Sequence, residues 1–488
     1  MRANTRPNSD VSAAVPSGSA SVIRNLIWVY FVLLIVEGAL RKWILPGFSN
    51  QLLLVRDPVL LLIYAVALAS GLFVFNGIVI ALGILGALSV ILGMLFGTGN
   101  VLVTGYGFDA CFLHLPLIFI IPQVMNRDDV IKMGRWFMYL TIPAAILMII
   151  QFRASPDDWI NCGAGGTSGS QIRGALGKIR PPAFFSFITG AAQFLAIATA
   201  FVTYGFLRLN TYPRPALLIA TFCVVIAAVV STSRLALGGI GLVLMMIGVI
   251  FFLNSQSVAG IVRLIAPAGL VLLVATNLDI FKEGRVVFEA RLTEAGDVGA
   301  GLTGTASNWT TRFFGDFILG FEALEYAPIL GRGLGLGTNV GARLLTGEMG
   351  FLAAEGEWAR VILEMGPILG LAYLVVRVLI AITLLRTSIR RVREGNFLPM
   401  LLFGASVLLV LSGQFSQATS LGFAVLVSGL CLAAARMPAG ATQIGFESSR
   451  VEIATSKKFR GRAVHAAALH AAGEPQTPVP PDSAKAKS

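Results

Sequence analysis

The chain is a succession of apolar runs, each long enough to cross a lipid bilayer as a helix. The hydrocarbon core of a bilayer needs about 20 consecutive apolar residues, within a range of roughly 17–25. Such runs lie near residues 22–40, 58–75, 78–96, 108–125, 133–152, 184–206, 214–232, 235–253, 260–276, 361–385, 398–412 and 416–436. Lipid offers the backbone no hydrogen-bonding partner, so each run must satisfy its own N–H and C=O groups, as a helix does. The expected fold is an all-α polytopic membrane protein of about twelve transmembrane helices.

Composition closes off the soluble classes. Of 488 residues, 56% are hydrophobic and only 13% charged, against about 25% charged in soluble domains. The net charge of +12 would suggest nucleic acid in a soluble protein. Here Lys and Arg sit in short loops and the C-terminal tail, a pattern that sets membrane orientation and favours anionic headgroups; nucleic acid is not an expected partner. The four cysteines form no disulfide framework or metal spacing. Cys111, Cys223 and Cys431 fall inside apolar runs as packing residues, and Cys162 stands alone in a loop. No A-x-A cleavage site frames the first run, so it reads as a retained span.

Loop charge sets the orientation. Arg127, Lys132 and Arg135, then Arg208 and Arg214, then Arg263, then Arg386, Arg390, Arg391 and Arg393 follow the fourth, sixth, eighth and tenth runs. All four groups fall on one side, with both termini, and the positive-inside rule makes that side cytoplasmic. The expected organisation is a cytoplasmic segment 1–21, a first bundle of nine spans over 22–276, a large periplasmic loop 277–360, three spans over 361–436, and a disordered cytoplasmic tail 437–488 too polar to bury a core. Within the loop, Phe313, Phe314, Phe317, Ile318, Phe321 and Leu324 recur at helical spacing. They predict an amphipathic helix, capped by Asn308 or Thr310, that lies in the interface or packs on the bundle.

Basic residues should be scarce in short non-cytoplasmic loops. Arg41, Lys42, Arg56, Arg173, Lys178, Arg180, Arg234, Arg312, Arg332, Arg343 and Arg360 break that rule. A charge at a span edge is costly unless it is paired or used. Arginine suits phosphate, because its fixed fork makes bidentate, charge-assisted bonds and keeps its proton. Snorkelling to lipid phosphate or pairing with nearby Asp and Glu explains each one equally well alone. The loop also carries Asp279, Glu283, Glu289, Glu294, Asp297, Asp316, Glu322, Glu325, Glu348, Glu355 and Glu357. Mixed signs fit a site that needs phosphate ligands and a carboxylate together. Glu37 and Arg41 read as a one-turn pair, and His114 as a packed, hydrogen-bonded histidine.

Four stretches stand in order: Arg180-Pro-Pro-Ala-Phe-Phe-Ser before a span; Ser231-Thr-Ser-Arg234 at a span mouth; Arg312 opening the amphipathic helix; and Ile329-Leu-Gly-Arg-Gly-Leu-Gly-Leu-Gly337, followed by Glu355-Gly-Glu-Trp-Ala-Arg360 and Glu364-Met-Gly-Pro-Ile-Leu-Gly370. In this order, over roughly 170–380, they resemble the O-antigen ligase and O-antigen polymerase superfamily. The resemblance implies a GT-C-like helical bundle in the bacterial inner membrane. It also implies metal-independent, cofactor-free glycosyl transfer on the periplasmic face, with an undecaprenyl-diphosphate-linked glycan as substrate. A flippase and a chain-length regulator would be its partners, beside the membrane lipids. The sequence departs from the ligases at their histidine position, where Glu355-Gly356 stands. The chain's three histidines, His114, His465 and His470, all lie outside the large loop. That tilts the reading from ligase to polymerase.

The implied chemistry assigns roles. Arg234 and Arg312 would stabilise the leaving diphosphate, with Arg180 or Arg360 assisting and Arg332 also on the substrate; Glu355 or Glu357 would take the acceptor proton. For Glu357 the alternative is a salt bridge to Arg360, three residues on. The glycine-rich 331–337 turn would either aim N–H groups at phosphate or serve as a plain flexible turn. A lipid-linked glycan transporter and a structural export subunit are the rival classes. The first would favour repeated halves and mid-membrane charges, and the second would leave the arginines unexplained.

Overall fold

A computed structural model of the protein describes residues 17–208, 210–254, 258–294, 315–348, 350 and 352–437. The expectations for Arg312, Phe313, Phe314, Asn308, Thr310, the first 16 residues and the tail from 438 on lie outside the described residues. The helices are α1 (Ser17–Ala39), α2 (Asp57–Ala69), α3 (Gly77–Leu95), α4 (Val101–Phe108), α5 (Leu117–Val124), α6 (Arg127–Arg153), α7 (Ile188–Leu207), α8 (Arg214–Val230), α9 (Arg234–Leu253), α10 (Val258–Thr276), α11 (Asp279–Glu294), α12 (315–326), α13 (Asn339–Thr346), α14 (Glu357–Arg393), α15 (Leu398–Ser412) and α16 (Ala418–Ala435). Every apolar run contains a helix, though the runs at 58–75, 108–125 and 184–206 are helical only in part. Among the described residues, eight helices are long and apolar enough to cross a membrane, and ten if two bent pairs each count as one span: 101–113 with 117–124, and 263–276 with 279–291. α8 and α15, with 17 and 15 residues, are shorter.

Burial follows side-chain size. α7 is buried along its whole length. Its Gly190, Ala191, Ala192, Ala196, Ala198 and Ala200 let α6, α8, α9 and α15 approach closely, as small residues do between membrane helices. The periphery is inverted relative to a soluble protein. α3 buries Val79, Leu82, Gly86 and Gly93 but exposes Ile80, Ile84, Leu88, Ile91 and Leu95 along one stripe. An apolar stripe on an outer face is stable against lipid and would not be against water.

The bundle has two polar ends. At one, an Arg208 guanidinium N–H donates to the Gly395 carbonyl, and Asn254 Nδ2 donates to Val392 O at 3.0 Å. That end gathers the loops that carry the basic groups. The other end holds the long segment after α10, whose described residues include the helices α11, α12 and α13. α11 turns 88° from the end of α10 and packs across α8.

α14 is not one straight helix. Gly366 adopts φ 79°, and Pro367 follows it. A Cβ at Gly370 would lie 2.9 Å from Ile362 Cα. Glu357 and Arg377 meet at 2.7 Å, although 20 residues of straight helix would separate them by about 30 Å. The helix therefore doubles back at Gly366, and 357–365 is a short buried arm folded against 367–393. The large loop consequently ends at 356, four residues earlier than expected, and Glu357 and Arg360 belong to the buried arm.

Candidate functional site

The buried arm carries a closed ion network. Glu357 Oε2 accepts from Arg360 Nε at 3.0 Å; its Oε1 accepts from Arg360 Nη2 at 3.0 Å and from Arg377 Nη1 at 2.7 Å. Arg360 Nη1 donates to Glu364 Oε2 at 2.9 Å. Arg377 also donates to Val410 O at 2.7 Å and Gly413 O at 2.9 Å, so a cation satisfies the last carbonyls of α15. All four side chains are almost completely buried. Two carboxylates and two guanidinia cancel in charge, and each Glu357 oxygen is taken. Two expectations are thereby corrected. Glu357 is out of reach of an acceptor hydroxyl, and Arg360 is held by carboxylates rather than presented to substrate.

The glycine-rich turn is corrected as well. Arg332 N donates to Leu363 O at 2.8 Å, Gly333 N to Glu364 O at 3.1 Å, and Gly337 N to Glu364 Oε1 at 2.7 Å. These N–H groups are committed to the buried arm and cannot cradle phosphate. Nor is the turn loose: a Cβ at Gly333 would meet Thr98 N at 2.8 Å, and one at Gly331 would run into the Glu364 carbonyl. Glycine is there for close packing. The Arg332 side chain itself is exposed.

Of the expected phosphate ligands, Arg234 stands at the mouth of α9, with the hairpin that ends at Arg180 close by. Ser233 caps that helix, accepting from Ala236 N at 3.4 Å, with Thr232 before it at φ 46°. Arg234 Nη2 donates to Arg291 O at 3.2 Å, and an Arg291 N–H donates to the Thr232 carbonyl. The 172–180 hairpin, closed by Arg180 N on Ile172 O at 3.0 Å, lies against this mouth: a Cβ at its Gly174 would be 3.4 Å from Thr232 Oγ1. Arg234, Arg291 and the hairpin that ends at Arg180 thus meet at one end of a 20-residue helix, whose N-terminus adds its own positive pole.

The sequence reading leaves out Arg291. Its signal is placement: Phe281, Gly284, Val287 and Arg291 share one face of α11, and that face is the buried one. It also leaves out Arg377, legible as a lone charge in the middle of an apolar run.

A carboxylate stands at the base of the buried arm. Asp316 Oδ1 accepts from Trp358 N at 3.4 Å, capping α14 from another helix. Gly356, the N-cap residue, leaves room for it, since a Cβ there would fall 2.6 Å from the same oxygen. Burial pushes the Asp316 carboxyl up to about 6, opposed by the Trp358 N–H and aided by the nearby Glu357 charge. Its Oδ2 is buried without a hydrogen bond among the described residues. Glu355 is exposed beside it, and its carbonyl accepts from Gln414 Nε2 at 2.8 Å. Gln417 donates to Gln414 and accepts from Thr189 Oγ1 at 2.7 Å, so a polar chain leads from Glu355 to the start of α7. α12 packs Phe317 on Trp358, ring centroids 4.6 Å apart, while Ile318, Leu319 and Phe321 stay exposed. The helix therefore both packs on the bundle and presents an apolar face outward.

A second buried cluster lies nearby. Arg41 Nη1 meets Glu37 Oε1 at 3.3 Å, the expected one-turn pair, and Arg56 Nε approaches the other Glu37 oxygen at 3.4 Å. Arg56 Nη1 donates to Tyr30 Oη at 3.2 Å, which is 2.9 Å from His114 Nδ1. His114 Nε2 lies 3.2 Å from Asp57 Oδ1 and 3.1 Å from Asp109 Oδ1. These three residues carry metal-ligand atoms within 4.8 Å of one another. An imidazole N–H shared by both carboxylates accounts for that spacing, and His114 is the hydrogen-bonded histidine expected. Cys162 is buried, donating to Lys42 O at 3.3 Å, and burial raises its thiol above the usual range.

Fold and site together define a multi-helix membrane protein with a polar end built from arginines and carboxylates. Comparison with protein-family models and with curated proteins finds no match to the chain.

Proposed function

We propose that the chain is a membrane glycosyltransferase that polymerises or transfers polyprenyl-diphosphate-linked glycan repeat units in surface polysaccharide assembly. On this reading it is a GT-C-like bundle of about twelve spans in the bacterial inner membrane, with its active face periplasmic. The observation that carries the reading is the gathering of Arg234, Arg291 and the Arg180 hairpin at the N-terminus of α9. Two guanidinia, a basic hairpin and a helix N-terminus suit a leaving diphosphate.

The reaction would break the bond from the anomeric carbon to the diphosphate, which departs with the electron pair. A new bond forms to an acceptor hydroxyl, whose proton goes to a carboxylate. Asp316 and Glu355 are the carboxylates open to that role. A carboxyl pushed up to about 6 is matched to proton abstraction near neutral pH.

The test is polymer length in cells lacking the protein, complemented with wild type, Arg234→Ala or Arg291→Ala at equal membrane levels. Wild type should restore long chains, and either variant should leave single repeat units on the carrier. Long chains with both variants would sink the assignment. Full-length polymer that fails to reach its acceptor would instead mean a ligase, and repeat units stranded on the cytoplasmic face a transporter.

A further inference from the structure

The opposite end of the bundle holds a groove of about 740 Å³, counting its open mouth, between the α2–α3 connection, α5, α14 and α16. Arg390, Arg391 and Arg436 line it, with Thr387 between apolar walls that include Phe119 and Leu432. No carboxylate is among its lining residues. Arg436 is held in place, donating to Pro122 O at 2.6 Å and to Gln123 Oε1 at 3.0 Å. Arg391 is paired with Glu394. Arg390 has no hydrogen bond or ion pair among the described residues and is exposed.

The depth of this groove is fixed by helix length. α16 starts at Ala418, whose carbonyl takes the Arg56 guanidinium, and Arg436 follows its last residue. Eighteen residues of helix span about 27 Å, close to the thickness of a bilayer's hydrocarbon core of about 30 Å. The groove therefore sits at the level of the headgroups on the side away from the α9 mouth.

We propose that this groove binds an anionic glycerophospholipid, its phosphate on Arg390 and Arg436 and its acyl chain along Phe119 and Leu432. Guanidinium forks match phosphate oxygens, and basic pockets between membrane helices are where anionic headgroups lodge. The apolar walls select a lipid over a free ion. The inference is independent of the glycosyltransferase reading.

The test is thermal unfolding of the full chain in detergent with added phosphatidylglycerol, phosphatidylcholine or inorganic phosphate. Phosphatidylglycerol should raise the melting temperature by more than phosphatidylcholine, and inorganic phosphate should not. Arg390→Gln removes no hydrogen bond or ion pair among the described residues, so it should melt like wild type without lipid and lose at least half of the phosphatidylglycerol shift. Thr387→Trp, which fills the groove and keeps every charge, should lose the same shift. Equal shifts from the two lipids, an undiminished shift in both variants, or an equal shift from inorganic phosphate would each overturn the proposal.

Discussion

The two ends of α14 treat arginine in opposite ways. Around the fold-back, Arg360 of the short arm and Arg377 of the segment it packs against are almost wholly buried and locked to Glu357 and Glu364 at 2.7–3.0 Å. At the far end, Arg386, Arg390 and Arg393 are exposed, and among the described residues Glu394 is the one carboxylate bonded there, to Arg391. The difference lies in neighbours. Arg360 has a glutamate three residues before it and another four after, the spacings at which helical side chains meet. At the far end Glu394, three residues after Arg391, is set against Arg386, Arg390, Arg391 and Arg393, and most of that charge stays on the surface. A buried arginine with matched carboxylates closes a structure, whereas an exposed one without them is left to meet a ligand.

The largest test of this contrast is Arg377→Met. It leaves Glu357 with one guanidinium in place of two and strips the end of α15 of its cation. Breaking a buried pair from one side costs about 3–5 kcal/mol, so folded yield and melting temperature should drop sharply. Glu357→Gln combined with Arg377→Met should recover part of that loss; a double variant as unstable as the sum of the singles would show that the pair does not interact. Gly366→Ala comes next. Its Cβ would run into the Ile329 carbonyl at a backbone angle L-residues avoid, at a cost of roughly 1–3 kcal/mol, read as a lower melting temperature.

A smaller effect concerns Asp316. Its carboxyl is raised in the folded protein, so folding favours the protonated form. That contribution is complete below the ordinary carboxylate range of about 4 and is lost as pH rises through about 6. Amide protection in 315–326, taken relative to the intrinsic base-catalysed exchange rate, should be greater at pH 5 than at pH 7.5, and Asp316→Asn should abolish that difference. Unchanged pH dependence in that variant would move the titration to another group. If Asp316 is the base, polymer growth should rise with pH through the same region, because the base must be ionised. The smallest effect belongs to Arg153 and Glu283, 3.7 Å apart and about half exposed. Glu283→Gln should change stability by no more than about 1 kcal/mol, and a larger shift in melting temperature would give that surface pair a role the buried network was thought to monopolise.

Much of the fold was legible because lipid makes the apolar run and the helix nearly the same thing. The run at 78–96 became α3 over Gly77–Leu95, and the run at 398–412 became α15 over those residues. Close charge pairs were legible for a similar reason. Glu37–Arg41 and Glu357–Arg360 follow from helical spacing alone. The glycine-rich turn was not. Its glycines look like a phosphate loop until Leu363 O, Glu364 O and the Glu364 carboxylate are seen to use its N–H groups. Asp316 was visible only as one polar residue on an amphipathic helix. Its capping of Trp358 joins residues 42 apart.

The sequence by itself determined that this protein is helical, apolar outward and built to cross a membrane, because those properties depend on residue type and on spacing within one or two turns. Tertiary structure decided which charges are closed off and which remain at a mouth. Whether Glu357 meets Arg377 depends on the fold-back at Gly366 and on where α15 ends. Whether Arg234 lies beside Arg291 depends on α11 turning across the end of α8. Helical spacing is written into the chain three or four residues at a time. A meeting across 20 or 57 residues is settled only when packed helices fix every intervening bend.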